Sequence, residues 1–81
     1  MNIRMRYFAV SREITGCEFE ELELAAQATT DDLWALLLER HPRLAPHRAH
    51  SRLALNLQYL NAVTNLNNGD EVSLIPPVNG G

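Results

Sequence analysis

The chain has 81 residues, 46% of them apolar, and a formal net charge of -3. At that length roughly 60–65% of the unfolded surface can be buried, which leaves one core, one domain and little room for a deep catalytic cleft. Seven arginines without a lysine exclude Schiff-base and lysine general-base chemistry within the chain, the acidic balance gives no general affinity for nucleic acid, and the lone Cys17 cannot close an internal disulfide.

The longest apolar run is "LWALLL" at 33–38. It is far too short to span a membrane, and the N-terminus alternates like a strand instead of reading as a signal peptide. The expectation is a cytoplasmic protein with no membrane partner.

In chain order, "NIRMRYF" places Ile3, Met5 and Tyr7 on one face and Arg4, Arg6 and Phe8 on the other, the pattern of a half-buried strand. A polar stretch containing Gly16 turns the chain. "FEELEL" follows as a second strand with Leu22 and Leu24 on a common face. Phe19 is out of phase with them, which predicts a bulge or an early kink. The two strands would form a hairpin.

"TTDDLWALLLERHP" predicts a helix. Thr29 is the N-cap, Asp32 completes a capping-box spacing, and Asp31 adds negative charge at the positive end of the dipole. Leu33, Leu36 and Leu37 form the buried stripe, and Pro42 ends the helix because it lacks an N–H and restricts His41. A loop rich in Arg, His and Pro covers 43–52. "LALNL" then aligns Leu53, Leu55 and Leu57 as a third strand, Tyr59 and Leu60 form a short edge piece, "NNGD" at 67–70 turns, and "EVSLI" closes the fold with Val72 and Leu74 inward. One helix across one face of a mixed sheet buries every apolar stripe in a single core, an α+β domain.

Charge is segregated. Eight of the ten acids lie between Glu13 and Glu39, whereas 40–69 carries Arg40, Arg43, Arg48 and Arg52 and no carboxylate. A solvated basic loop is the simpler reading, and a docking patch for an acidic partner the sharper one. His41, His47, His50 and Cys17 match no strong metal-ligand spacing, so the histidines, near the helix end and in the loop after it, read as solvated and no metal is expected. No Ser-His-Asp, Cys-His or phosphate-loop signature is present, and nothing resembles a self-contained enzyme.

The tail carries more information. The sequence runs from "SLIPPV" into Asn79, Gly80 and Gly81. At a background of roughly 7% glycine, a terminal pair is an infrequent accident. Pro76 and Pro77 stop ladder pairing and favour an extended exit, and four further residues reach about 13 Å beyond the body. Two glycines thin the tip so that backbone can enter a slot closed to any Cβ. The group such a tail presents is the Gly81 carboxylate.

"YFAVSRE" at 7–13, the helix opening "TTDDL", the strand "LALN" and above all "NGDEVSLIPPVNGG" carry a resemblance. End to end, the chain resembles the MoaD/ThiS family of ubiquitin-like sulfur carriers, and the Pro-Pro-Val-x-Gly-Gly ending is similar to its molybdopterin-synthase branch. The resemblance implies a β-grasp domain over 1–77 and an extended Gly-Gly tail over 78–81. It implies that an E1-like (MoeB-like) partner consumes ATP to adenylate Gly81, that a sulfur donor converts the adenylate to a thiocarboxylate, and that a MoaE-like large subunit passes the sulfur to cyclic pyranopterin monophosphate. The assembly implied is a heterotetramer, with no cofactor bound by this chain. Gly81 would be the carrier and Gly80 would keep the tail narrow. Phe8, Tyr59 and Ile75 would form an exposed apolar docking patch, with Pro76, Pro77, Val78 and Asn79 entering the partner. A carrier for thiamine thiazole or tRNA thiolation, and a ubiquitin-like binding or tagging module, remain as alternatives.

Overall fold

A computed structural model describes residues 1–76. Five strands form one mixed sheet: β1 (Asn2–Tyr7), β2 (Phe19–Glu23), β3 (Arg52–Leu55), β4 (Gln58–Tyr59) and β5 (Glu71–Ile75). Their order across the sheet is β2-β1-β5-β3-β4. β1 and β5 run parallel at its centre, and the other pairings are antiparallel. Of the two α-helices, α1 (Ala9–Thr15) and α2 (Thr30–Arg40), the longer packs on one face, as the apolar stripes require. Ile3, Met5 and Tyr7 from β1 and Val72 and Leu74 from β5 meet Leu33 and Leu37 of α2 in the core. None of the described helices is long and apolar enough to cross a membrane.

Thr29 caps α2 as the sequence predicts. Its N–H donates to Asp32 Oδ2 at 2.7 Å, and its carbonyl accepts the first helical bond from Leu33. The buried stripe differs from expectation at two positions: Leu36 is only half-buried, whereas Trp34 is buried. The cause is the segment after Pro42. It is not an open loop but a 3₁₀ run, Pro42–His50, whose Leu44 is fully buried in the core and whose Arg48 guanidinium lies 5.3 Å from the Trp34 ring. Covered from that side, the indole leaves solvent.

Three further expectations are corrected. The polar stretch before Gly16 contains helix α1. It begins where the Phe8 N–H donates to Ser11 Oγ at 3.1 Å, and it ends on left-handed Gly16 (φ 77°), whose N–H donates to Arg12 O at 2.9 Å. That bond closes the helix and returns the chain to the sheet. Phe19 sits in an unbroken β1–β2 register opposite Arg6, in place of the expected bulge: its ring lies on the outer face, with Arg4 stacked at 4.0 Å. Being out of phase with Leu22 simply places it opposite the core. Leu57 is not in β3. With Asn56 (φ 47°) it forms the two-residue β3–β4 turn at φ 74°, and it is 80% exposed.

The "NNGD" turn takes positive φ at Gly69 (87°). It is tied to the start of β1 by Gly69 N–H to Asn2 O (2.8 Å) and Asn2 N–H to Asn68 Oδ1 (2.7 Å). Buried Asp70 accepts from Asn67 N–H (2.7 Å) and Asn56 Nδ2 (3.1 Å), which joins this turn to the β3–β4 turn. One end of the sheet is thereby pinned, and β5 runs from it to the opposite end.

Candidate functional site

The site is the end of the sheet where β5 leaves. Ile75 is the last residue of β5, paired with Arg52 of β3, and Pro76 follows it out of the ladder. Paired residues share a face of the sheet. The register therefore places Tyr59, Ala54, Ser73, Arg6 and Phe19 in a row across the outer face, the one opposite α2. Arg52 and Ile75 lie one step nearer the exit.

Phe8 follows β1 in extended geometry (φ -128°, ψ 152°) and is half-buried, with the Arg6 guanidinium 4.8 Å from its ring. Ile75 is half-buried and Tyr59 is 53% exposed. The three are on the outward side of the sheet, Phe8 and Ile75 with the parity opposite to that of their core neighbours. Arginines stand among them: Arg6 between Phe8 and Phe19, and Arg52 over Tyr59 at 4.4 Å. Each such stack contributes about 0.5–1 kcal/mol at an exposed site and leaves N–H groups at the edge of the guanidinium plane able to donate. Pro77, Val78, Asn79, Gly80 and Gly81 lie outside the described residues.

Behind the same end, on the core side, is a polar cluster that parity alone did not reveal. Glu20 shares the inner face of β2 with Leu22 and points under the sheet. Tyr7 Oη donates to its Oε1 at 2.6 Å, His41 Nε2 lies 3.0 Å from the same oxygen, and Arg40 approaches Oε2 at 3.5 Å. Burial by itself raises the Glu20 carboxyl, but the bonds from Tyr7 and His41, helped by the charge of Arg40, outweigh it and hold the group below its ordinary value. Tyr7 moves the other way: burial first, then its bond to Glu20, push the phenol far above the usual tyrosine range. His41, which the sequence reading took as solvated, thus fastens the end of α2 to β2. The signal available was the single glutamate at an inward position of an amphipathic strand. Among the described residues no three His, Cys, Asp or Glu side chains are placed to hold a metal ion.

A mixed five-stranded sheet clasping one main helix, its central strand leading out at one end, is the β-grasp architecture of ubiquitin-like proteins. A family model described as the ThiS family matches residues 5–81. The molybdopterin synthase sulfur carrier subunit of Chlamydomonas reinhardtii is 40% identical over the whole of both chains. Among solved structures, a putative molybdopterin converting factor subunit 1 from Pyrococcus furiosus superposes with a TM-score of 0.87 at 29% identity, covering 96% of this chain and 99% of that one. A chain in a complex of subunits 1 and 2 of the molybdopterin-converting factor from Helicobacter pylori gives 0.74 at 28% identity, covering all of both chains. The chain belongs to the ThiS/MoaD family.

Proposed function

We propose that this chain is the sulfur-carrier subunit of a molybdopterin synthase and that the Gly81 carboxylate is its working group. The full-length match to a named sulfur carrier subunit carries the reading, because it spans the double proline and the Gly-Gly pair together with the folded body. The two-subunit complex of the Helicobacter pylori relative supports a large-subunit partner.

A free carboxylate does not accept sulfur, since oxide or hydroxide is a poor leaving group. An E1-like partner would join the Gly81 carboxylate to the α-phosphate of ATP and release pyrophosphate. Sulfide-level sulfur (HS⁻) released by a donor would then attack the acyl carbon and expel AMP, leaving the thiocarboxylate. Inside the large subunit the sulfur would pass to cyclic pyranopterin monophosphate, and water adding to the acyl carbon would break its bond to sulfur and return a carboxylate on this chain. Cationic stabilisation and proton transfer fall to the partners, because the chain has no lysine and no self-contained catalytic set.

Intact-mass analysis of the protein from its native host tests the chemistry. The expected result is a species ending at Gly81 with one oxygen exchanged for sulfur. A mature form carrying untrimmed residues beyond Gly81, or Gly81 joined to lysines of other proteins, would overturn it. Reconstitution with large subunit and precursor separates this pathway from other sulfur acceptors: thiocarboxylated protein that yields no molybdopterin would assign the chain elsewhere in the family.

A further inference from the structure

Beside the tail exit, the first turn of α2, the end of the 3₁₀ segment and the β3–β4 edge enclose an open groove of about 250 Å³. Trp34 and Leu53, each only 7% exposed, lie at its base with half-buried Leu60, Val63 stands exposed on one wall, and Asp31, Arg48 and Arg52 border it. The two arginines are not equivalent. Arg48 already faces a carboxylate, Asp31 Oδ1 at 3.6 Å. Arg52 has no carboxylate within ion-pair distance among the described residues; it stacks on Tyr59 and donates one N–H to Asn61 Oδ1 at 3.1 Å. The stack and the single bond fix the guanidinium in place and leave in-plane donors for an incoming carboxylate.

Arg52 also sits on a seam. It pairs with Ile75 on the outer face and lines the groove around the edge, so a partner seated at the tail exit meets it directly. Small-molecule pockets usually enclose about 300–1,000 Å³. This smaller, open groove suits one or two side chains. Asp31, which also lines the groove, is engaged by Arg48, so Arg52 is the lining cation left for an acidic occupant, and a free inorganic anion would leave exposed Val63 uncovered.

We propose that the groove receives an acidic segment of the large subunit, with a carboxylate on Arg52 and an adjoining apolar side chain against Val63. The proposal rests on the sulfur-carrier reading and adds to it a contact that sets partner specificity. The chain's Arg52→Gln, Arg52→Glu and Val63→Asp variants are titrated by calorimetry against purified large subunit of the same host at two salt concentrations. Arg43→Glu, an exposed arginine outside the groove lining, serves as the control. Thermal melts check that each variant folds. Arg52→Gln weakens binding about tenfold, the loss expected for one charge-assisted hydrogen bond, and flattens its salt dependence. Arg52→Glu and Val63→Asp weaken it as much or more, and Arg43→Glu leaves it unchanged. Folded Arg52 variants that bind the large subunit like wild type overturn the proposal, as does a loss seen only with the adenylating enzyme or only in self-association. Failure of the wild-type chain itself to bind sinks the sulfur-carrier reading, which is a separate result.

Discussion

Tyr7 and Glu20, thirteen residues apart and on neighbouring strands, share a 2.6 Å hydrogen bond, and the same carboxylate also holds the end of α2 through His41. The bond makes stability depend on pH at both extremes. Glu20 titrates below its ordinary value in the folded state, so its contribution is present above the unfolded carboxylate value and is lost as pH falls through the lowered one. Tyr7 titrates above its ordinary value, so its contribution is complete below about pH 10 and is lost as pH rises beyond it. Glu20→Gln should cost about 1–2 kcal/mol near neutral pH, with the difference from wild type shrinking below about pH 4. Urea unfolding across pH checks this, and a constant difference in acid would remove Glu20 from the account.

The β3–β4 turn should accept glycine with a gain. Asn56 and Leu57 both have positive φ, the geometry in which Asn-Gly is the favoured pair, and Leu57 is too exposed to gain much from packing. Leu57→Gly should stabilise the protein by about 0.5–1 kcal/mol, read as a rise in the melting temperature. A fall would mean that the leucine side chain packs against the hairpin after all.

Those two sites mark the limits of what the sequence discloses. Alternation places Ile3, Met5 and Tyr7 inward because a strand with one buried face repeats every two residues. The Thr29–Asp32 spacing locates α2 because the cap is a local bond. Helix α1 escapes such reading: its cap residue is Phe8, the bond comes back from Ser11, and its seven residues are too few to show an apolar period. Arg52 reads as part of a solvated loop because its place beside Ile75 comes from pairing two strands distant in sequence. The outward parity of Phe8, Arg6 and Ile75 is legible, but the stacking of Arg52 on Tyr59 is not.

Removing the α2 cap should be felt at the level of one bond. Asp32 accepts the Thr29 N–H and hydroxyl, and it lies in the first turn, where negative charge also meets the helix dipole. Asp32→Ala should cost about 0.5–2 kcal/mol. In a domain of this size, that is a fall of several degrees at about 4–8 °C per kcal/mol. Asp32→Asn, which keeps an acceptor and loses the charge, should recover part of the loss.

Ile75→Asp separates docking from folding. Ile75 is half-buried on the outward side of β5 while its neighbour Leu74 fills the core, so the change removes part of an apolar contact and leaves the core intact. The cross-strand partner is Arg52, and a carboxylate at position 75 can pair with it. The pairing offsets part of that loss, and monomer stability should fall by about 1–2 kcal/mol. Binding has no such compensation. A partner closing over the tail exit would bury the new charge against apolar surface, and the guanidinium nearest to it would already be engaged. Affinity for the large subunit should fall about tenfold or more, measured by calorimetry beside a thermal melt of the free chain. A stability loss well beyond that range would make Ile75 a core residue, whereas unchanged affinity would place the partner on another face of the sheet.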